Sequence, residues 1–154
     1  MYWIWLGAAA AGSLLLILLL EIVRRHYKKA LSLARSRFLQ AREHLEADFF
    51  TAASRSGKPR GLRWKNCEWD SDVVFARDRH NRQLIALVGV TISFEAIEGG
   101  DMEGVAAVGN LRNASGVFFL EGGRWRTVGK VVFNLNPGET LAHFQQQYER
   151  LEMV

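Results

Sequence analysis

The sequence is poor in cysteine and proline. It contains one cysteine, Cys67, and two prolines among its 154 residues. A single cysteine excludes a small secreted module that is held together by disulfides. Hydrophobic residues make up 49% of the chain, which excludes low-complexity disorder. The length allows one folded domain, or one small domain with an accessory segment.

Charge is absent from the first twenty residues, and residues 14–20 consist only of leucine and isoleucine. With the few residues that follow, the stretch reaches the roughly 20 residues that a helix needs to cross a ~30 Å hydrocarbon core. Interfacial aromatic residues are expected at both ends of such a span, and Tyr2, Trp3, Trp5 and Tyr27 occupy those positions. A cleavable signal peptide would carry its basic residues before the apolar run, and this chain does not. Residues 1–23 are therefore predicted to form a transmembrane signal anchor.

The orientation of the predicted anchor follows from the basic residues that flank it. No lysine or arginine precedes the span, whereas Arg24, Arg25, Lys28 and Lys29 follow it directly. Positive charge is retained on the cytoplasmic side of a membrane. The prediction is a single-pass protein of the cell membrane, with its N-terminus outside and its C-terminal domain in the cytoplasm. The reducing cytoplasm also suits one unpaired cysteine.

Residues 24–54 lack proline and glycine and are predicted to continue the helix as an amphipathic basic stalk. Apolar residues recur there at a period near 3.5, as in a coiled coil. This helix-partner stripe is defined by Leu31, Ala34, Phe38, Leu45 and Phe49. It predicts a seam for another helix, either in a second copy or in a membrane-complex subunit, or a seam for the chain's own globular part. Residues 55–61, which contain glycine and proline, are predicted to be a linker.

The positive charge of the chain is confined to the stalk and the linker region. Residues 24–65 carry twelve basic and three acidic side chains, a net charge of +9, whereas residues 66–154 carry a net charge of −4. The basic segment has three interpretations: a topology signal on a solvated helix face, contact with anionic lipid, or nucleic-acid binding with Trp64 as a stacking ring. A membrane tether already explains the charge, so nucleic acid is not favoured as a partner. The bilayer and anionic lipid remain the predicted partners.

Residues 62–154 are predicted to be an α+β domain. Apolar and polar residues alternate over 84–96 and again from Trp125 to Leu135, which is typical of strands with one buried face. Shorter strands are predicted at 62–69, 73–77, 105–111 and 117–120, with turns at 70–72, 80–82, 98–101, 113–116 and 121–124. Tight turns between successive strands predict an antiparallel β-meander, as a curved sheet or a partly open barrel.

A C-terminal helix is predicted to cover this sheet. Asn136 is a suitable N-cap, Pro137 suits the first helical position, and Glu139 can complete a capping box. The helix is expected to continue past residue 143, since its predicted apolar face consists of Leu141, Phe144, Tyr148 and Leu151.

The sequence contains no converging set of catalytic residues. Its four histidines have no metal-ligand spacing with Cys67, and neither a phosphate-binding glycine loop nor a serine elbow is present. Cys67 is interpreted as a small core residue. The weak metal candidates are four carboxylates around a glycine-rich turn, Glu95, Glu98, Asp101 and Glu103, and a solvated hairpin would look the same. No catalytic residue and no cofactor is predicted.

These features favour a non-catalytic protein: an interaction or scaffold module, or an accessory subunit, held at the membrane by a single helix. The alternative is a membrane-tethered ligand-binding or enzymatic β-pocket, because pockets in such folds leave few signatures in a sequence.

Overall fold

The computed structural model describes residues 2–56 and 61–152, and gives side chains from residue 12 onward within those ranges. The described residues fall into two compact units, one reaching from the N-terminus to Ser36 and one from Arg37 to Glu152. The predicted linker therefore lies largely outside the described residues, which resume at Gly61.

The chain begins with one long helix, α1, at Tyr2–Ser56. Its large side chains at residues 14–20, 22 and 23 are all at least half exposed. The transmembrane part of the prediction is not supported: within the part of the chain whose side chains are described, no helical stretch is long and apolar enough to cross a membrane. The predicted interfacial aromatics Tyr2, Trp3 and Trp5 lie outside the residues whose side chains are described.

The second unit contains an open antiparallel sheet of six strands. The strands are β1 (Leu62–Asp78), β2 (Leu84–Ala96), β3 (Arg112–Glu121), β4 (Arg124–Arg126), β5 (Val131–Phe133) and β6 (Tyr148–Arg150). Their order across the sheet is β4-β3-β2-β1-β6, and β5 also pairs with β3. The predicted α+β class and antiparallel sheet are confirmed, and the sheet is open and does not close into a barrel.

The first two predicted strands are one bent strand. β1 pairs with β2 along its whole length, with register shifts between Trp64 and Asn66 and between Trp69 and Val73. The second shift falls on the predicted turn Asp70-Ser71-Asp72. Polar residues with turn preference therefore bend β1 here without ending it, because a bulge absorbs extra residues while the ladder resumes on both sides.

The sheet has a helix on each face. Phe75, Ala86 and Phe118 are neighbours across β1, β2 and β3, and α1 packs on this face, with Phe38 in contact with Phe75 and Phe118. The opposite face carries a core shared with the short helix α2 (Pro137–His143) and β6. The buried residues of that core are Ala76, Ile85, Leu87, Val117, Leu141 and Tyr148.

Two predictions between β2 and β3 are wrong. Residues 105–111 are not a strand: they contain a short 3₁₀ helix, Ala106–Gly109. Bonds from Gly100 N to Ile97 O, from Val105 N to Met102 O and from Val108 N to Val105 O satisfy the backbone within the loop, so the segment needs no strand partner. The turn expected at 113–116 is instead the start of β3, where Ala114, Ser115 and Gly116 pair with β2 on one side and β5 on the other.

The start of α2 is as predicted, but its end is not. Asn136 and Glu139 form the capping box, with Glu139 N donating to Asn136 Oδ1 at 2.9 Å and Asn136 N donating to Glu139 Oε2 at 2.8 Å. The helix ends at His143, and Tyr148 lies in β6. Arg79 N donates to Gln147 O at 2.8 Å. Pairing with the edge of β1 thus outweighs the weak helix preference of the last turn.

Candidate functional site

The helix-partner stripe is divided between the two units. Leu31 and Ala34 belong to the N-terminal unit, whereas Phe38, Leu45 and Phe49 belong to the second. In the second unit Phe38 and Phe49 are fully buried and Leu45 is 3% exposed. Of the alternatives that the sequence leaves open, Phe38 and Phe49 contact the chain's own sheet.

Aromatic contacts fix α1 to the sheet. The Phe38 ring lies edge-on to three rings, with centroid distances of 5.7 Å to Phe75, 5.5 Å to Phe118 and 5.1 Å to Trp125. About three turns further along α1, the Phe49 ring lies edge-on to Trp69 with a centroid distance of 5.0 Å. Such pairs contribute ~0.5–1.5 kcal/mol each beyond their area burial. Residues 37–56 are therefore a wall of the domain core.

Two glycines allow this close packing. A Cβ on Gly116 would lie 2.8 Å from the Trp69 ring and 3.2 Å from the Phe49 ring, so the bare backbone of β3 makes room for both. A Cβ on Gly129 would lie 2.3 Å from the backbone nitrogen of Ala53. Gly129 also has a φ of +71°, a conformation that glycine adopts without strain.

Arg42 connects α1 to the bulge of β1. Its guanidinium donates to Glu46 Oε1 at 2.6 Å, to Ser71 O at 2.6 Å and to Asp70 O. Only 18% of the side chain is exposed. The bend of β1 leaves these carbonyls without a strand partner, and the guanidinium satisfies them. Arg42 is therefore a structural residue of the domain, although it belongs to the basic segment.

Five of the predicted membrane-interface residues have described side chains, and all five lie in the N-terminal unit. Arg24, Arg25, Tyr27, Lys28 and Lys29 are all exposed on α1. Arg24 lies 3.8 Å from Glu21 one turn earlier, and this pair is largely exposed. Exposed pairs of this kind contribute little to stability, so the positive charge of the segment stays available for a partner.

A groove lies between α1 and the outer edge of β1. It has a volume of about 370 Å³, and its walls include Ala47 and Phe50 from the helix and Lys65, Cys67 and Trp69 from the strand. Cys67 is half-buried there, and burial raises the pKa of its thiol to about 12. The thiol is therefore protonated at neutral pH. It forms part of the groove wall and is not a core residue, so its interpretation as a small core residue is wrong.

A second, more polar cleft lies on the other side of α1. Its volume is about 560 Å³, and it is lined by Arg37, Ala41, Trp125 and the β3–β4 turn with Gly122, Gly123 and Arg124. Arg37 Nη1 donates to Gly123 O at 3.4 Å, a long bond on an exposed surface. The two arginines make this cleft positive.

The four weak metal candidates do not form one cluster. Glu95 Oε1 accepts from Arg63 Nε at 2.7 Å, and Glu103 Oε2 accepts from Gly99 N at 2.8 Å. Glu98 and Asp101 are exposed on the intervening turn. Among residues 12–56 and 61–152, no group of three or more histidine, cysteine, aspartate or glutamate side chains is arranged to hold a metal ion.

The groove beside β1 could not be recognised from the sequence. Its residues come from segments about 20 positions apart, and nothing in the sequence places residues 46–50 against residues 65–69. The one available signal was the stripe itself, since a buried face at Phe49 requires that the flanking residue Phe50 lie at the margin of the interface.

Comparison with known protein families, with curated proteins and with solved structures finds no match for this chain. The function must therefore be argued from the residues described above.

Proposed function

We propose that this chain is a single-pass membrane protein that presents a small, non-catalytic β domain as an interaction module on the cytoplasmic side. One observation carries the proposal: the side chains at residues 14–20, which are all leucine or isoleucine, are 52–63% exposed on a helix. Consecutive residues point in all directions around a helix, so this segment is apolar on every side.

Contact with lipid removes these side chains from water. Burying one leucine or isoleucine side chain is worth ~1.5–3 kcal/mol, and seven such residues follow one another here. The uncharged sequence from residue 2 to residue 20 supplies the remaining length of a span. The four basic residues that follow support a cytoplasmic location of the domain and favour contact with anionic headgroups at ~1 kcal/mol per residue near the surface.

Extraction of cell membranes with alkaline carbonate tests the anchor. The wild-type chain is expected to stay in the membrane pellet. The double variant Leu16→Arg/Leu18→Arg is expected to appear in the supernatant, because an arginine at the centre of a span costs about 2.5–3.5 kcal/mol on insertion scales. Leu33→Arg is the matched control, since Leu33 is 51% exposed on the same helix but lies outside the apolar run. Release of the wild-type chain by carbonate would refute the anchor.

Orientation needs a better reporter than Cys67, because a half-buried thiol with a pKa of about 12 reacts slowly. Ala107→Cys in a Cys67→Ser background places a thiol on an exposed loop. A membrane-impermeant maleimide is expected to label it only after the cells are permeabilised. Labelling of intact cells would reverse the proposed topology.

Ligand binding by the β domain is the second candidate function, because the domain has an apolar pocket of about 260 Å³. Leu62, Phe94 and Phe133 line it, and Arg112 and Asn134 supply polar groups. A small ligand in this pocket would raise the melting temperature of the domain as its concentration increases. Phe94→Ala would remove that shift.

A further inference from the structure

β1 is paired along only part of its outer edge. β2 covers its inner edge from Leu62 to Arg77, whereas β6 pairs only with the segment from Ala76 to Asp78. One more bond, from Leu151 N to Phe75 O at 3.0 Å, extends this pairing slightly. Within the described ranges, no other strand lies along residues 62–73 on the outer side.

The register shows which backbone groups face outward. Ile97 and Gln83 directly flank β2, and they bond to the β1 side through Ile97 N to Gly61 O and Asp78 N to Gln83 O. By the alternation of an antiparallel ladder, the odd-numbered residues of β2 therefore exchange bonds with β1. By this alternation, the backbone N–H and C=O groups of Asn66 and Glu68 bond to β2, where their partners are Ser93 and Thr91. The N–H and C=O groups of Cys67 and Trp69 then point to the outer edge, where they can pair with another strand.

The groove described above lies beside these outward groups. Cys67 and Trp69 are opposite Ile92 and Val90, so their side chains are on the α1 face of the sheet. They form one wall of the groove, and Ala47 and Phe50 of α1 form the other. A strand added to this edge would place every second side chain on the same face, and that side chain would enter the groove.

The fold itself limits the length of the site. At one end Arg42 already donates to the carbonyls of Asp70 and Ser71, so these groups have a donor without a further strand. At the other end the register shift next to Asn66 interrupts the ladder. Residues 65–69 remain, which is the length of a short strand.

The charge of the groove indicates the chemistry of its occupant. None of the ion pairs among the described residues contains Lys65, whereas Glu46 in the opposite wall is neutralised by Arg42 at 2.6 Å. The local charge is therefore positive. A second copy of this edge, added antiparallel with the same face toward α1, would bring Cys67 and Trp69 to the groove and keep Glu68 on the opposite face. Charge complementarity therefore favours a foreign acidic segment.

We propose that residues 65–69 of β1 bind an extended peptide segment of a partner protein, which adds to the sheet as a further strand. The segment places an apolar side chain in the groove between α1 and β1 and a carboxylate beside Lys65. Main-chain hydrogen bonds supply affinity in this mode of recognition, and the groove supplies specificity. This inference rests on the proposed function, since it assigns the interaction role to one edge of the domain.

Selection from a display library of random heptapeptides against the full chain in detergent tests the site. The expected sequences combine an apolar residue with an acidic residue near it. Ala47→Trp fills the groove and is expected to weaken binding of a selected peptide at least tenfold. His44→Trp is the matched control, because His44 is an exposed residue of the same helix and its side chain is 84% exposed. It is expected to bind the peptide as wild type does.

Two further measurements separate strand addition from other modes of binding. N-methylation of alternate amides of the selected peptide is expected to abolish binding in one register and to spare it in the other. Lys65→Glu is expected to reverse the preference for an acidic residue without changing the urea midpoint of the domain. Selection that yields no enriched sequence, or peptides that bind Ala47→Trp as they bind wild type, would overturn the proposal.

The edge would instead be assigned to a second copy if the mass of the wild-type protein in detergent doubled with concentration while the Ala47→Trp variant kept the mass of one chain. That result would also overturn the proposal of a foreign peptide. Peptide selection in detergent does not depend on membrane insertion. A failed peptide selection would therefore not affect the carbonate test of the membrane anchor. Release of the chain by carbonate would likewise not affect the peptide test of the β1 edge.

Discussion

Replacement of Phe38 by alanine should destabilise the domain severely, because Phe38 is fully buried among three aromatic rings. Truncation of a buried phenylalanine costs about 3–5 kcal/mol, which includes the cavity that it leaves. The free energy of unfolding of a small domain is only ~5–15 kcal/mol, so this loss takes a large part of it. With a urea m-value of ~2 kcal/mol per molar, the unfolding midpoint should fall by about 2 M.

Urea titration of the full chain in detergent, followed by tryptophan fluorescence, measures this effect. Trp125 lies 5.1 Å from the Phe38 ring and reports directly on the packing of α1 against the sheet. Leu39→Ala is the matched control, because the neighbouring residue Leu39 is 47% exposed and its truncation should change the free energy of unfolding by less than ~0.5 kcal/mol. Phe38→Leu keeps most of the volume and should cost less than ~1.5 kcal/mol, so it stays measurable if the alanine variant does not fold.

A loss below ~1 kcal/mol in Phe38→Ala would refute the assignment of this residue to the core. An unchanged midpoint together with a halved mass in detergent would show instead that Phe38 faces a second copy. That outcome would restore the coiled-coil interpretation of the stripe.

Three further perturbations follow from the same structure. Gly129→Ala should lower the melting temperature more than Gly99→Ala does. Both glycines have a positive φ, but of the two only the Cβ at position 129 would meet backbone, at 2.3 Å from Ala53 N. Overpacking of this kind costs about 1–3 kcal/mol. Asn136→Ala should cost ~1 kcal/mol in urea titration through loss of the N-cap of α2, and Asn136→Asp, which can still accept the bond from Glu139 N, should restore most of it. Burial raises the pKa of Asp78, but hydrogen bonds from the Gln147 side chain and from the N–H groups of His80 and Asn81, with the nearby His80 charge, hold this pKa below its ordinary value. The resulting stabilisation is present above the pKa of the Asp78 carboxyl in the unfolded chain, ~3.9, and is lost as the pH falls through its lower pKa in the folded chain. The difference between the urea midpoints at pH 7 and below pH 3 should therefore be smaller in Asp78→Asn than in wild type. Equal differences in the two proteins would contradict this origin of the stabilisation.

The sequence predicts those parts of the fold that depend on local patterns. The alternation over residues 84–96 corresponds to β2, and the spacing of Asn136 and Glu139 corresponds to the cap of α2. Both signals are contained within one element, so they can be recognised without knowledge of its neighbours.

Other parts depend on contacts between distant residues and could not be predicted. Tyr148 continues a helical pattern in the sequence, yet it pairs with Asp78, 70 positions earlier. The free edge of β1 exists because β6 is too short to cover it, and the sequence does not indicate that length. The stripe on α1 indicates an apolar face, but its period does not identify the covering surface.

The wall formed by residues 37–56 has a consequence for the synthesis of the protein. Phe38 leaves the ribosome 87 residues before Trp125, its nearest ring partner. At an elongation rate of ~5–20 residues per second, its side chain waits roughly 4–17 seconds for that partner. Folding of the domain is therefore delayed until the β3–β4 hairpin has emerged, and during that interval the nascent helix exposes an apolar face along which a chaperone can hold the chain.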